Sequence, residues 1–195
     1  MYMGKRIFVD LDLTLVRSVE DGVLEAALQN GGTEADARAA GAVPLEVGGK
    51  IIWSKPRPGA VQFMWEIGLL CDNVSICTVA TRDYARTACS RFGFDYIAAN
   101  IYTRENINND ARGLEYPGKF LLVDDNPHTF SPGIMNKFAY ISQTREEIAN
   151  GFYDRTAKTE KFVRSGMVTV RPYQYWDADD NELERVLEEI KRRVV

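Results

Sequence analysis

Ile7-Phe8-Val9-Asp10-Leu11-Asp12-Leu13-Thr14-Leu15 is the stretch on which the reading of this chain turns. Three consecutive apolar residues, β-branched or aromatic, predict a buried strand. Side chains alternate along a strand, so Asp10 and Asp12 share a side where the chain leaves the sheet. Two carboxylates that close repel each other, and burial raises the cost of ionising both. Such a pair calls for a cation. Magnesium suits it, because the ion takes hard oxygen ligands and keeps positions open for water and phosphate oxygens.

The rest of the chain fits a globular protein built around that strand. A length of 195 residues suits one domain, 1–195, with a sizeable core. A formal net charge of −4 provides no general attraction for nucleic acid or an anionic membrane. No apolar run approaches the ~20 residues that span a bilayer, so no membrane partner is expected. Met1-Tyr2-Met3-Gly4-Lys5-Arg6 runs straight into the first strand and reads as no signal peptide. Cys71, Cys77 and Cys89 have no metal-ligand spacing and read as reduced, buried thiols. The expectation is a cytoplasmic protein.

Strands alternate with helices, which predicts an α/β fold with a mainly parallel central sheet flanked by helices. After the first strand, a small insert over 17–55 is expected, with helices at 21–30 and 33–40 and then a hairpin flap. Val43–Val47 and 50–54 flank Gly48-Gly49, a hairpin signal. Pro58 is expected in the first turn of a helix carrying Val61, Met64, Trp65 and Leu69. Further strands are predicted at 73–79, 95–102, 119–123, 138–141 and 167–170, with a helix over Arg82–Phe92. Leu183, Val186, Leu187, Ile190 and Val194 make one apolar face of a final helix.

Two strands far apart in the chain therefore end in paired acids, Asp10/Asp12 and Asp124/Asp125. A third, Ser75-Ile76-Cys77-Thr78, ends in a hydroxyl. In open parallel sheets, ligands bind beyond the carboxyl ends of the strands. Acids, hydroxyl and acids on strand ends are far more specific than a lone Asp-x-Asp.

On these residues the chain resembles the haloacid dehalogenase superfamily of aspartate-nucleophile phosphotransferases, which have a Rossmann-like fold. Asp10-Leu11-Asp12-Leu13-Thr14 is similar to its first motif, Thr78 to its second and Asp124-Asp125 to its fourth. The nearer resemblance is to the branch holding the RNA polymerase C-terminal-domain phosphatases and their small relatives. It rests on the hairpin ahead of Arg57-Pro58-Gly59, on Tyr84 and Ala85 after Thr78, and on Pro127 after Asp124. The tail from Trp176 to Glu182-Leu183 is similar as well.

The resemblance implies a magnesium-dependent phosphatase. In that reading Asp10 is the nucleophile that becomes an aspartyl phosphate, and Asp12 is the general acid and base. Thr78 binds the phosphoryl group, while Asp124 belongs to the same catalytic set. Mg2+ is held by the Asp10 carboxylate, the Asp12 backbone carbonyl and Asp125. Thr14 and Arg82 are expected to contact the substrate. The third motif supplies a cation, here assigned to Arg104, with Arg82, Arg112 and Lys119 as the other candidates. Lys119 begins the strand that Asp124 ends, roughly 16 Å away at ~3.3 Å per residue, so it reads as structural.

Small inserts predict an open site for a phosphorylated protein or other large substrate, a nucleic-acid end or a small molecule. The alternatives are a polynucleotide-end or nucleotide phosphatase and, of another class, an inactive domain that binds phosphorylated ligands. His128, the basic stretch of Arg155, Lys158, Lys161 and Arg164, and Trp53, Trp65 and Trp176 read as loop, surface and packing residues. Trp53 is also placed near the entrance of the site.

Overall fold

The structure, a computed structural model, describes residues 6–21, 32–71, 73–105, 120–125, 167–174 and 179–194. Its central strand is β1 (Arg6–Val9), whose Ile7, Phe8 and Val9 are buried. A parallel strand covered on both faces reads as a continuous apolar run, which is why this one was legible. β5 (Asn73–Cys77) and β7 (Phe120–Asp124) lie parallel to β1 on either side, with Val9 opposite both Ile76 and Val123. β6 (Asn100–Tyr102) and β8 (Met167–Thr169) complete a five-stranded parallel sheet in the order β6-β5-β1-β7-β8. The chain builds one side of β1 first and then crosses to the other. The strand order therefore reverses between β1 and β7, the place beyond whose carboxyl ends ligands bind in open α/β sheets.

The insert contributes a second, three-stranded antiparallel sheet, in which β4 (Lys50–Pro56) lies between β2 (Val16–Glu20) and β3 (Val43–Val47). β3 and β4 form the expected hairpin, with Gly48 and Gly49 at φ 57° and 76°. Both turn positions need positive φ in this hairpin type, which glycine adopts without strain. β2, which pairs with β4, was not anticipated. Its buried residues are Val16 and Val19, a spacing without the two-residue period that marks a strand. α1 (Glu34–Ala39) follows the N-cap Thr33, which forms a capping box with Asp36. Val19, Ala37, Ala42 and Trp53 give the insert a small core of its own. Trp53 is buried there, its indole N–H donating to Asp21 at 2.7 Å, so it does not line the entrance.

Several boundaries differ from the expectations. Gly59, in the left-handed conformation, caps α2 (Ala60–Leu70), so Pro58 precedes the helix instead of starting it. Ala60, Phe63, Met64 and Ile67 of α2 are buried, whereas Val61, Trp65 and Leu69 are exposed. Most of α2 is apolar, on its exposed side as well as its buried one, so apolar periodicity alone does not select the inward face, and Trp65 is not a packing residue. β5 stops at Cys77, and α3 (Arg82–Phe92) follows with the predicted bounds. The strand expected over 95–102 is a 3-10 turn at Phe94–Tyr96 followed by the short β6, because Gly93 ends α3 and buried Phe94 docks the chain at once. α4 (Glu182–Val194) buries the five apolar residues expected of it. All three cysteines are free thiols, two of them buried. The strand at 138–141, the helix at 21–30 beyond its first residue, Arg112, Lys119, Pro127, His128, the basic stretch and Trp176 lie outside the described residues. Among the described residues no helix is long and apolar enough to cross a membrane.

One buried ion pair ties the C-terminal helix to the loop after β1. Arg57 donates to Asp180 through Nε at 2.9 Å and lies 2.8 Å from it through Nη2, with both side chains fully buried. Its Nη1 reaches the Thr14 carbonyl at 3.2 Å, while Asp180 accepts the Glu182 amide at the start of α4. Removing Arg57 leaves buried Asp180 with only Arg171 at 3.4 Å, a side chain that is mostly exposed, and the Glu182 amide. Arg57→Ala is expected to destabilise the protein by about 3–5 kcal/mol in urea denaturation, whereas paired apolar replacement of Arg57 and Asp180 costs far less.

Candidate active site

Because β1 and β7 are in register, Asp10 and Asp124 leave the sheet side by side. The Asp10 amide donates to the Val123 carbonyl at 2.8 Å, extending the ladder one residue beyond β1. Asp10 and Asp124 are both buried, and Asp125 is half-buried. One carboxylate oxygen from each of Asp10, Asp124 and Asp125 lies within 4.8 Å of the others. Burial, then the charges of Asp124, Asp12 and Asp125, push Asp10 well above the usual carboxylate range. Burial pushes Asp125 up to about 6, against hydrogen bonds that pull it down.

These groups fit a magnesium ion. All are hard oxygen donors, and at Mg–O distances of about 2.0–2.1 Å opposite ligands stand about 4.2 Å apart. A cation also supplies the positive charge that the crowded carboxylates lack. Asp124 brings a third carboxylate oxygen to this group, a part the sequence did not suggest.

Thr14 secures the trio from the β1 side. Its Oγ1 accepts the Asp125 amide at 3.1 Å and donates to Asp125 Oδ1 at 3.4 Å. That side chain, expected to meet substrate, is thus engaged with an acid of the cluster. The loop that carries it turns at Leu13, which has φ 62°, and the Leu15 and Val16 amides both return to the Leu11 carbonyl. A bulky residue in that conformation stores strain of order 1–3 kcal/mol, which its surroundings must hold. Here the Tyr173 amide donates to the Leu13 carbonyl at 2.7 Å, and the Leu13 amide donates to Val16.

Asp12 stands apart from the trio, on the wall of an open cavity of about 280 Å³. The Tyr84 hydroxyl donates to its Oδ1 at 2.5 Å. Burial raises its pKa, while Tyr84 and the Arg17 guanidinium pull it back. Tyr84 matched a family motif in the sequence, but nothing there revealed its partner, which lies 72 positions away. Arg104 lines the same cavity, as do Ser18, Ile52 and Val79. Its Nε donates to the Val79 carbonyl at 2.7 Å, and its amide to Ala80. Arg82, the first residue of α3, is exposed and is not among the residues lining that cavity. Its amide is capped by the Glu105 carboxylate at 3.1 Å. Thr78 is buried one residue past β5, the strand next to β1, its amide donating to the Tyr102 carbonyl and its Oγ1 accepting the Ala80 amide. The structure thus brings Asp10, Asp124 and Asp125 together, with Asp12 and Arg104 on one cavity.

No family model and no curated protein matches the chain. Solved structures do match. Fission yeast RNA polymerase II CTD phosphatase Fcp1, an arginine-to-alanine variant bound to beryllium fluoride, superposes with a TM-score of 0.51 at 16% identity. That match covers 95% of this chain and 61% of the other. A second structure of Fcp1, an essential RNA polymerase II CTD phosphatase, gives a TM-score of 0.53 at 17% identity, over 96% and 47%. This chain therefore spans roughly half to three-fifths of the length of those proteins. What they share with this chain is the fold, α/β with a mainly parallel central sheet.

Raised carboxylate pKa values make the metal-free protein sensitive to pH. Unfolded carboxyls titrate near 4 and folded Asp125 near 6, so between them the folded state holds more protons. The stability these groups contribute is present below about pH 4 and is lost as pH rises through that window, with Asp10 extending it upward. In EDTA, the thermal midpoint of the wild type should fall between pH 4 and 7 relative to that of Asp10→Asn. Added Mg2+ should raise the wild-type midpoint at pH 7 by several degrees in calorimetry, and an unchanged midpoint would argue against a metal site.

Proposed function

We propose that this chain is a magnesium-dependent phosphatase that hydrolyses a phosphomonoester through a phosphoaspartate on Asp10. The observation that carries the reading is the placing of Asp10 beside Asp124 and Asp125, one strand from Thr78, in a fold shared with a phosphatase. An Asp10 oxygen attacks phosphorus, and the ester P–O bond breaks as the departing oxygen takes a proton from Asp12. Water then attacks the phosphoaspartate and gives a proton to Asp12, releasing phosphate and restoring the Asp10 carboxylate. Thr78 binds a phosphoryl oxygen. Asp10, Asp125 and the Asp12 backbone carbonyl hold Mg2+, with Asp124 in the same cluster, and the ion supplies charge against the phosphoryl group. Arg104 is the cation on the cavity wall, fixed by its bond to Val79.

The open cavity favours a phosphoprotein or another large substrate over a small enclosed one. A polynucleotide end remains the competing substrate class. Three free thiols agree with a reducing, cytoplasmic setting.

Hydrolysis of p-nitrophenyl phosphate with Mg2+ should fall to background in Asp10→Asn. In Asp12→Asn it should drop about 100- to 10,000-fold for an alkyl phosphate. An inactive wild type that still binds phosphopeptides would replace this reading with a binding domain. Arg104→Ala should lower turnover by about 100- to 1,000-fold at constant fold, the range for loss of one charge-stabilising donor. Normal turnover there together with loss in Lys119→Ala would move the role to Lys119.

A further inference from the structure

Asp12 is the terminus of a line of hydroxyl groups that begins inside the insert sheet. Ser18 on β2 and Ser54 on β4 are direct cross-strand partners, and their Oγ atoms are 2.7 Å apart. Ser18 Oγ is 2.6 Å from the Tyr84 hydroxyl, which is 2.5 Å from Asp12 Oδ1. Ser54 is fully buried and Tyr84 nearly so. A phenol has one proton, and Asp12 Oδ1 can only accept, whether the carboxyl is ionised or carries its proton on Oδ2. Tyr84 therefore donates to Asp12, Ser18 donates to Tyr84, and Ser54 donates to Ser18. Every donor in the line is committed in one direction, toward the carboxylate.

We infer that the Ser54–Ser18–Tyr84 line is a positioning device for Asp12, with Tyr84 holding Oδ1 so that Oδ2 carries the proton to the departing oxygen. Tyr84 touches neither phosphorus nor leaving group in this scheme; it acts through Asp12. The inference rests on the phosphatase reading above. It also assigns the insert a task besides lining the cavity. The β2–β4 register places Ser18 opposite Ser54, and that pairing aims the last donor at the acid. A carboxylate held on one oxygen by a short bond loses rotational freedom about its terminal torsion, which is otherwise broad. The gain is orientation of the proton donor, a contribution that pays only when the leaving oxygen needs the proton.

That dependence separates positioning from mere support. In a two-step mechanism kcat/KM reports the first step, in which the leaving group departs. p-Nitrophenolate is a good leaving group that needs little protonation, whereas the alkoxide of phosphoserine needs it fully. Tyr84→Phe keeps the ring and removes only the hydroxyl. It should lower kcat/KM for a phosphoserine peptide about 10- to 100-fold while changing that for p-nitrophenyl phosphate less than about 3-fold, a part of what a general acid is worth. Ser18→Ala, which leaves Tyr84 in place but without its own donor, should show the same selectivity at about 2- to 5-fold. Both variants should melt within a few degrees of wild type. Equal losses on the two substrates, or no loss on either, would overturn the positioning role. If the wild type hydrolyses neither substrate, the phosphatase reading fails. A Tyr84→Phe that does not fold leaves Ser18→Ala to decide by the same two ratios.

Discussion

β1 sits between β5 and β7 in a register that puts Val9 level with Ile76 and Val123. The rest of the site follows from that alignment. One residue beyond the shared level, Asp10 steps out beside Asp124, and Thr78 emerges two residues past Ile76 on the other flank. A shift of one residue in either pairing would turn each strand's exit side chain to the opposite face. The apolar interior of the sheet prevents such a shift, because Ile7, Val9, Val74, Ile76, Leu121 and Val123 all belong to one continuous core. Packing of carbon chains thus sets where the carboxylates meet.

The meeting is electrostatically unfavourable. Buried acids raise one another's pKa, and the loop between Asp10 and Thr14 adds a left-handed leucine. The structure surrounds this loop with restraints that come from distant parts of the chain. Arg57 grips the Thr14 carbonyl and Asp180, Tyr173 caps the Leu13 carbonyl, and Thr14 itself is bonded to Asp125. Strain and repulsion concentrated at one place, with rigid elements holding them there, is the pattern expected of a site prepared for a charged ligand.

Legibility followed physical cause. β1 and β7 are apolar runs buried on both faces, the β3–β4 hairpin announces itself through Gly48-Gly49, and α4 carries a clean amphipathic stripe. Each of these signals is local, so each could be read along the chain. β2 could not, since Ser18 and Arg17 interrupt its apolar alternation and its partner β4 lies more than thirty positions on. The inward face of α2 was equally hidden, because a helix apolar on most sides has no preferred stripe until it is laid against a sheet. Of the site, the acids and Thr78 were visible as residue types at strand ends. Their restraining partners Tyr84, Ser18, Arg57 and Asp180 were not visible as such.

The sequence by itself determined the chemistry on offer: paired acids at the ends of two apolar strands, a hydroxyl at the end of a third, and the α/β order that brings such ends to one edge. Those features depend on neighbours a few residues away, which is the range over which periodicity and residue type carry information. Tertiary structure alone decided which acids share one cluster, which acid stands apart on the cavity wall, and what holds each. Those outcomes depend on contacts spanning 66 to 123 positions, from Tyr84–Ser18 to Arg57–Asp180. Contacts that distant are selected by how the whole sheet and its helices pack, and no local pattern in the chain encodes them.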